Sequence, residues 1–152
     1  MPNLTEHFTL AEMTFSDTAT RKGIDNTPTE AIVVNLALLC ERVLEPLRDA
    51  LGPVHITSGY RSPDLNVAIG GSRTSSHMEG KAADVNVPGK TLAEVFNWLQ
   101  ANAPYDQIIR EFPPGGWVHC SYDIDRNRLQ GLLAVSENGK TVYRPQDGPV
   151  NV

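Results

Sequence analysis

Ser75-Ser76-His77-Met78-Glu79-Gly80-Lys81-Ala82-Ala83-Asp84-Val85-Asn86-Val87-Pro88 is the stretch on which the fold turns. Ser72 to Gly80 is rich in Gly and Ser and predicts an ordered loop. Ala82 to Val87 predicts a strand stopped by Pro88. On the C-terminal side, Thr91-Leu92-Ala93-Glu94 has the form of a capping box, and Leu92, Val95, Phe96 and Leu99 give the helix that follows an apolar face. Tyr105 to Phe112 and Trp117 to Tyr122 then predict two strands, joined as a hairpin by Pro113-Pro114-Gly115-Gly116. A last hairpin is expected from Arg128 to Tyr143, with a type I′ turn at Asn138-Gly139, and the tail after Arg144 is expected to be loose.

On the N-terminal side, Ser62-Pro63 predicts a brief helix running to Gly70-Gly71, and Val54-His55-Ile56-Thr57 a short strand. Ile32, Leu36, Leu39, Cys40, Val43 and Leu47 recur every three or four positions, the pattern of a helix with one apolar face for a sheet. Thr27-Pro28-Thr29-Glu30 is its expected capping box, with Pro28 at the first helical position, and Pro46 is expected to kink or end it. Ser16 to Asn26 lacks periodicity and reads as a loop. Thr9 to Glu12 is a further capping box, with Phe8 and Met13 placed for a hydrophobic staple. Helices first and a mainly antiparallel sheet afterwards make an α+β fold. A single domain is expected over 1–152, with a core at about 4–144 and 145–152 loose.

Composition narrows the function. Forty per cent apolar residues and twenty per cent charged residues describe a globular chain with a real core. The longest nearly uncharged apolar stretch, Ala31 to Cys40, falls far short of the roughly 20 residues of a membrane-spanning helix, so membrane insertion is not expected. Thirteen Lys and Arg against eighteen Asp and Glu give a net charge of −5 without a basic run, which argues against nucleic acid as a partner. The N-terminal residues Met1 to Phe8 carry neither a basic start nor an apolar run, so no signal peptide is expected. Cys40 and Cys120 are too few and too far apart for a disulfide framework or a thiolate zinc cage, and both are read as buried thiols.

His77 and Asp84 open the chemistry. A neutral imidazole and a carboxylate suit zinc, and a catalytic zinc site takes a third protein ligand and leaves the fourth position to water. Among the other histidines, His7 and His55 read as ordinary surface or core residues. His119 lies inside Trp117-Val118-His119-Cys120-Ser121-Tyr122, where strand alternation puts Trp117, His119 and Ser121 on one face and Val118, Cys120 and Tyr122 on the other. His119 can therefore face a site while Cys120 faces away. Asp123 to Asn127 begins like a calcium loop, but Arg128 stands where its Gly belongs, and calcium is rejected.

Ser75-x-His77-x-x-Gly80-x-Ala82-x-Asp84, preceded by Ser58-Gly59-Tyr60-Arg61-Ser62-Pro63 and followed by Trp117-Val118-His119, resembles the zinc D-alanyl-D-alanine carboxypeptidases and endopeptidases of the peptidase M15 family, a hedgehog/DD-peptidase-like fold, and most of all their short phage-type branch. The likeness also takes in residues 8–13, 25–28, 43–48 and 106–109. It implies that His77, Asp84 and His119 bind Zn2+, and that Arg61 and Ser75 hold the substrate or its developing oxyanion. Many relatives place an acid three residues before the last ligand, or a second His two before it, where this chain has Gly116 and Trp117. Glu111, which the hairpin can bring opposite Trp117 to His119, is nominated as the general base, with Asp106 in reserve and Asp123 behind it.

The resemblance implies a zinc metallopeptidase acting on the stem peptides or cross-links of bacterial peptidoglycan. It further implies a monomeric phage lysis enzyme that waits in the host cytoplasm and then acts on the cell wall from the periplasm. The alternative expectation is a catalytically inactive zinc scaffold, as in some hedgehog-type relatives, serving as a wall-binding or virion structural module.

Overall fold

Side-chain caps start the helices of the computed structural model, which describes residues 2–152; Met1, the first residue of the expected domain, lies outside the described residues. Helix α1 (Leu10–Thr14) opens on the expected capping box: Glu12 N donates to Thr9 Oγ1 at 3.1 Å and Thr9 N to Glu12 Oε1 at 2.9 Å. The staple residues Phe8 and Met13 are both buried in the main core. Residues 16–26 are not the expected loop throughout, because α2 (Asp17–Lys22) forms there. Ser16 Oγ accepts from Ala19 N, and Gly23 closes the helix in the left-handed region. With Ala19 as its only buried residue, α2 has no apolar stripe to betray it.

The long apolar helix is a continuous run of α3 (Glu30–Leu39), a π segment (Cys40–Leu44) and α4 (Glu45–Leu51). Its cap is Thr29, which accepts from Ile32 N at 3.3 Å, so Thr27 does not cap it and Pro28 precedes the first turn. Pro46 does not end the helix, which continues to Leu51. A proline ring clashes with the carbonyl four residues back in an α-turn; the wider π segment, where Glu45 N donates to Cys40 O, comes immediately before it and loosens that spacing. Leu36, Leu39, Val43, Leu44 and Leu47 are fully buried against the sheet.

The sheet has six strands in the order β1 (His55–Ser58), β2 (Ala82–Asn86), β4 (Trp117–Ser121), β3 (Gln107–Glu111), β5 (Gln130–Glu137) and β6 (Lys140–Pro145). All pairs are antiparallel except β3 with β5. The hairpin puts the end of β4 beside the start of β3, and a short connection from there starts β5 in the same direction as β3. Helix α5 (Pro63–Ala68) follows β1, and α6 (Leu92–Asn102), opened by the Thr91–Glu94 capping box, covers the sheet with α3 and α4. Asn138 (φ 51°) and Gly139 (φ 76°) make the expected turn between β5 and β6.

The tail after Arg144 is pinned where looseness was expected. Gln146 N donates to Gly131 O at 2.8 Å, while Asn97 on α6 exchanges two 2.7 Å hydrogen bonds with the backbone of Val150, which packs on the core. The backbone of β5 and the Asn97 side chain on α6 provide these anchors, and they stand outside any local pattern in the tail itself. Among the described residues no helix is long and apolar enough to cross a membrane.

Candidate metal centre

Strand register builds the site. Asp84 on β2 lies directly opposite His119 on β4, so their side chains stand as neighbours on the face of the sheet away from the long helix. His77 arrives from a 3₁₀ turn, Ser76–Glu79, capped by Ser75, whose Oγ accepts from His77 N at 3.2 Å. Arg61 N holds the same turn by donating to His77 O at 3.1 Å. The three side chains are buried, and one donor atom from each lies within 4.8 Å of the others.

The Asp84 carboxylate Oδ1 is 3.3 Å from His77 Nε2 and 3.3 Å from His119 Nδ1. Two ligands at roughly 2.0 to 2.1 Å from a tetrahedral zinc stand about 3.3 Å apart, so the spacing fits that metal. The protonation pattern points the same way. His77 Nδ1 is 2.8 Å from the Gly59 carbonyl, which can only accept, so Nδ1 carries the proton and Nε2 of the neutral ring presents a lone pair to a carboxylate oxygen. A cation between them relieves that opposition. His119 Nε2 is buried without a hydrogen-bond partner among the described residues, so Asp84, facing Nδ1, is the only group there that engages this ring. Burial pushes the His77 imidazole below its ordinary value and keeps it neutral. Burial alone would raise Asp84, but its neighbours His77 and His119 hold it well below the usual carboxylate range.

Gly59 is required by close approach. A Cβ there would stand 2.3 Å from the Met13 carbonyl oxygen at the end of α1, so only glycine leaves its own carbonyl on His77.

Arg61 packs behind the cluster, with Nη2 3.4 Å from Asp84 Oδ2, Nη1 3.2 Å from Asn66 Oδ1 and Nε 3.2 Å from Ser58 Oγ. Three of its five N–H donors are used there and two remain. Ser75 lines the cleft above the site, and its hydroxyl proton is left to donate, since the oxygen serves the turn as acceptor.

Glu111 pairs with Trp117 across the β3–β4 hairpin, and Trp117 Nε1 donates to Glu111 Oε2 at 2.9 Å. The turn is tight. Phe112 adopts φ 54°, and a Cβ on Gly116 would fall 1.7 Å from the Glu111 carbonyl oxygen. Burial pushes the Glu111 carboxyl up, and the charge of Asp84 adds to the effect. The reserve candidates are engaged elsewhere. Asp106 is gripped by Arg128 through Nε at 2.8 Å, Nη2 at 3.0 Å and the backbone N–H at 3.0 Å, and Asp123 pairs with Lys81 at 3.1 Å. Of the three candidates only Glu111 keeps a carboxylate oxygen, Oε1, without a hydrogen bond among the described residues.

His7 bonds Glu45 at 2.7 Å, and His55 is exposed at the start of β1; neither joins the cluster. Cys40 and Cys120 are buried and free, and burial pushes the Cys40 thiol up to about 12 and Cys120 upward as well, so neither offers a thiolate. Sequence reasoning missed the Gly59 carbonyl, Asn66 and the Trp117 indole donor. The first has no side-chain signature, and the other two gain meaning only from what the fold puts beside them.

The cluster opens on a cleft of about 1150 Å³, with Arg61, Ser75, Glu111, Trp117 and Tyr143 on its walls. A family model described as Peptidase M15 matches residues 6–121. Comparison with curated proteins gives no match.

Proposed function

The chain belongs to the peptidase M15 family, and from that premise we propose that it is a zinc metallopeptidase that hydrolyses peptide bonds of bacterial peptidoglycan, either as a D-alanyl-D-alanine carboxypeptidase or as an endopeptidase, in the service of phage lysis. One observation carries the catalytic part: the zinc-spaced cluster of His77, Asp84 and His119 shares a cleft with a half-buried carboxyl, Glu111, held at its edge by Trp117. The wall as substrate follows from the resemblance of residues 58–63, 75–84 and 117–119 to the phage-type branch, and the open cleft suits an extended peptide.

Zinc held by His77, Asp84 and His119 would supply a Lewis acid for the scissile carbonyl and would bring the pKa of a water near 7. The neutral His77 ring leaves the site net positive once metal is bound, and the Gly59 carbonyl fixes the ring's orientation. Glu111 takes the proton of the attacking water at Oε1 and returns it to the amine as the C–N bond breaks. Its raised pKa brings the carboxyl nearer the working pH, where it can act in both directions. Arg61 braces Asp84 and turns its two spare N–H groups to the substrate carbonyl or a carboxylate, and Ser75 donates beside it.

The test is incubation of the zinc-loaded protein with intact peptidoglycan and with a free stem pentapeptide. Release of D-alanine alone identifies a carboxypeptidase, and new amino groups inside the wall peptide identify an endopeptidase. Neither product from either substrate overturns the proposal in favour of the inactive wall-binding module.

A further inference from the structure

The face of the sheet that holds the metal cluster does not stop at Glu111. Register carries it on in a straight row: Trp117 on β4 lies opposite Glu111 on β3, Glu111 opposite Ala134 on β5, and Ala134 opposite Tyr143 on β6. Directly opposed residues project from the same face, so the four side chains stand side by side. Neighbouring strands lie about 4.8 Å apart, which puts the Tyr143 backbone roughly 10 Å from that of Glu111. Between them on this face stands the small side chain of Ala134, fully buried, short enough for the long phenol side chain to lean over it toward the carboxyl. Tyr143 and Leu132, one row along, line the same cleft as Glu111, His119 and Arg61. Leu132, Ala134 and Ile109 form a small apolar cluster of their own beneath this end of the cleft.

We propose that Tyr143 is a substrate-binding residue: its ring walls the Glu111 end of the cleft over the apolar floor, and its hydroxyl donates a hydrogen bond to a backbone carbonyl of the bound peptide. The inference rests on the reading of the cleft as a peptidase site. It extends that site across the sheet, because Arg61 and Asp84 lie on the β1–β2 side of His119 and Tyr143 on the far side of Glu111. It also places a substrate contact on a hairpin that begins at residue 130, beyond the 6–121 span of the family model. About half of Tyr143 is exposed, which leaves ring surface for a ligand to cover. Burial of the remainder, and after it the negative charges of Glu111 and Asp84, push the phenol above its ordinary value, so it stays a proton donor at neutral pH.

The experiment compares zinc-loaded wild type, Tyr143→Phe and Tyr143→Ala on a stem pentapeptide that contains both the L-alanyl and the D-alanyl-D-alanine bonds. Three quantities are read: kcat/KM, zinc content, and the pentapeptide Kd in a Glu111→Gln background that binds without cutting. The expected result is a fall of about tenfold in kcat/KM for Tyr143→Phe and a larger fall for Tyr143→Ala, with a weaker Kd and one zinc per chain throughout. If the wild type cuts the peptide and both variants match it in kcat/KM and Kd, the role of Tyr143 is overturned and the peptidase reading stands. If the wild type binds without cutting and Kd still depends on Tyr143, the inference holds and the hydrolytic reading falls. A wild type that neither cuts nor binds overturns both.

Discussion

Asp84 is held from three sides, by His77, His119 and Arg61, and its value to the site lies in that triple engagement. Asp84→Asn removes the charge that zinc needs while nearly keeping the shape, and metal analysis of the purified variant is expected to show far less than one zinc per chain, against one for wild type. Glu111→Gln is the complementary change. It keeps the Trp117 indole within hydrogen-bond reach of an amide oxygen but cannot take a proton, so kcat is expected to fall by roughly 10²- to 10⁴-fold with zinc content unchanged. Activity at the wild-type rate in that variant would mean that the base lies elsewhere. Asp106→Asn is expected to leave zinc content and most of kcat intact, because its carboxylate is spent on Arg128.

At the scale of elements, the β3–β4 hairpin positions Glu111, the proposed base, and the α1–β1 contact positions His77. Gly116→Ala drives a methyl group into the Glu111 carbonyl, so it is expected to displace the base and lower kcat at least tenfold without loss of zinc. Gly59→Ala collides with the Met13 carbonyl and disturbs the acceptor that orients His77; zinc affinity, measured by competition with a chelator, is expected to weaken by about 10- to 100-fold. Which elements were legible follows from the same physics. Capping boxes at Thr9 and Thr91, strand alternation through His119 and the Asn138-Gly139 turn are local signals, and the structure forms each of them. The β3–β4 hairpin was equally plain, but its register was not: a four-residue turn would pair Phe112 with Trp117, whereas Phe112 leaves the strand at φ 54° and five residues separate the paired Glu111 and Trp117. Helix α2 was not, because a six-residue helix with one buried side chain shows no stripe, and its Ser16 cap and Gly23 stop were the only marks. The parallel β3–β5 pair, the pinning of the tail by Asn97 and the passage of the helix through Pro46 depend on contacts between distant segments or on a change of helical pitch.

For the whole molecule, acid is the condition that dismantles the arrangement. Asp106 and Asp84 both titrate below the usual carboxylate range in the fold, Asp106 because the Arg128 hydrogen bonds outweigh its burial. A carboxylate with a lowered folded pKa stabilises the fold above its ordinary value of about 4 and loses that contribution as pH falls further. His77, lowered by burial, acts in the same direction from its ordinary value of about 6.5 downward, since the unfolded chain takes up the proton first. Thermal melts of metal-free protein are therefore expected to show a Tm that falls below about pH 6.5 and more steeply below about pH 4, and Asp106→Asn is expected to flatten the lower limb. A Tm independent of pH from 7 to 3 would contradict this. Zinc at saturating concentration is expected to raise the Tm at neutral pH, as any ligand of the folded state does.

The most direct test of the central claim is the release of new amino groups or free D-alanine from purified peptidoglycan by one preparation measured three times: zinc-loaded, stripped by chelator, and reloaded. The account predicts hydrolysis in the first and third states and none in the second. A fully zinc-loaded protein that releases neither product, or hydrolysis that survives complete removal of the metal, would contradict it.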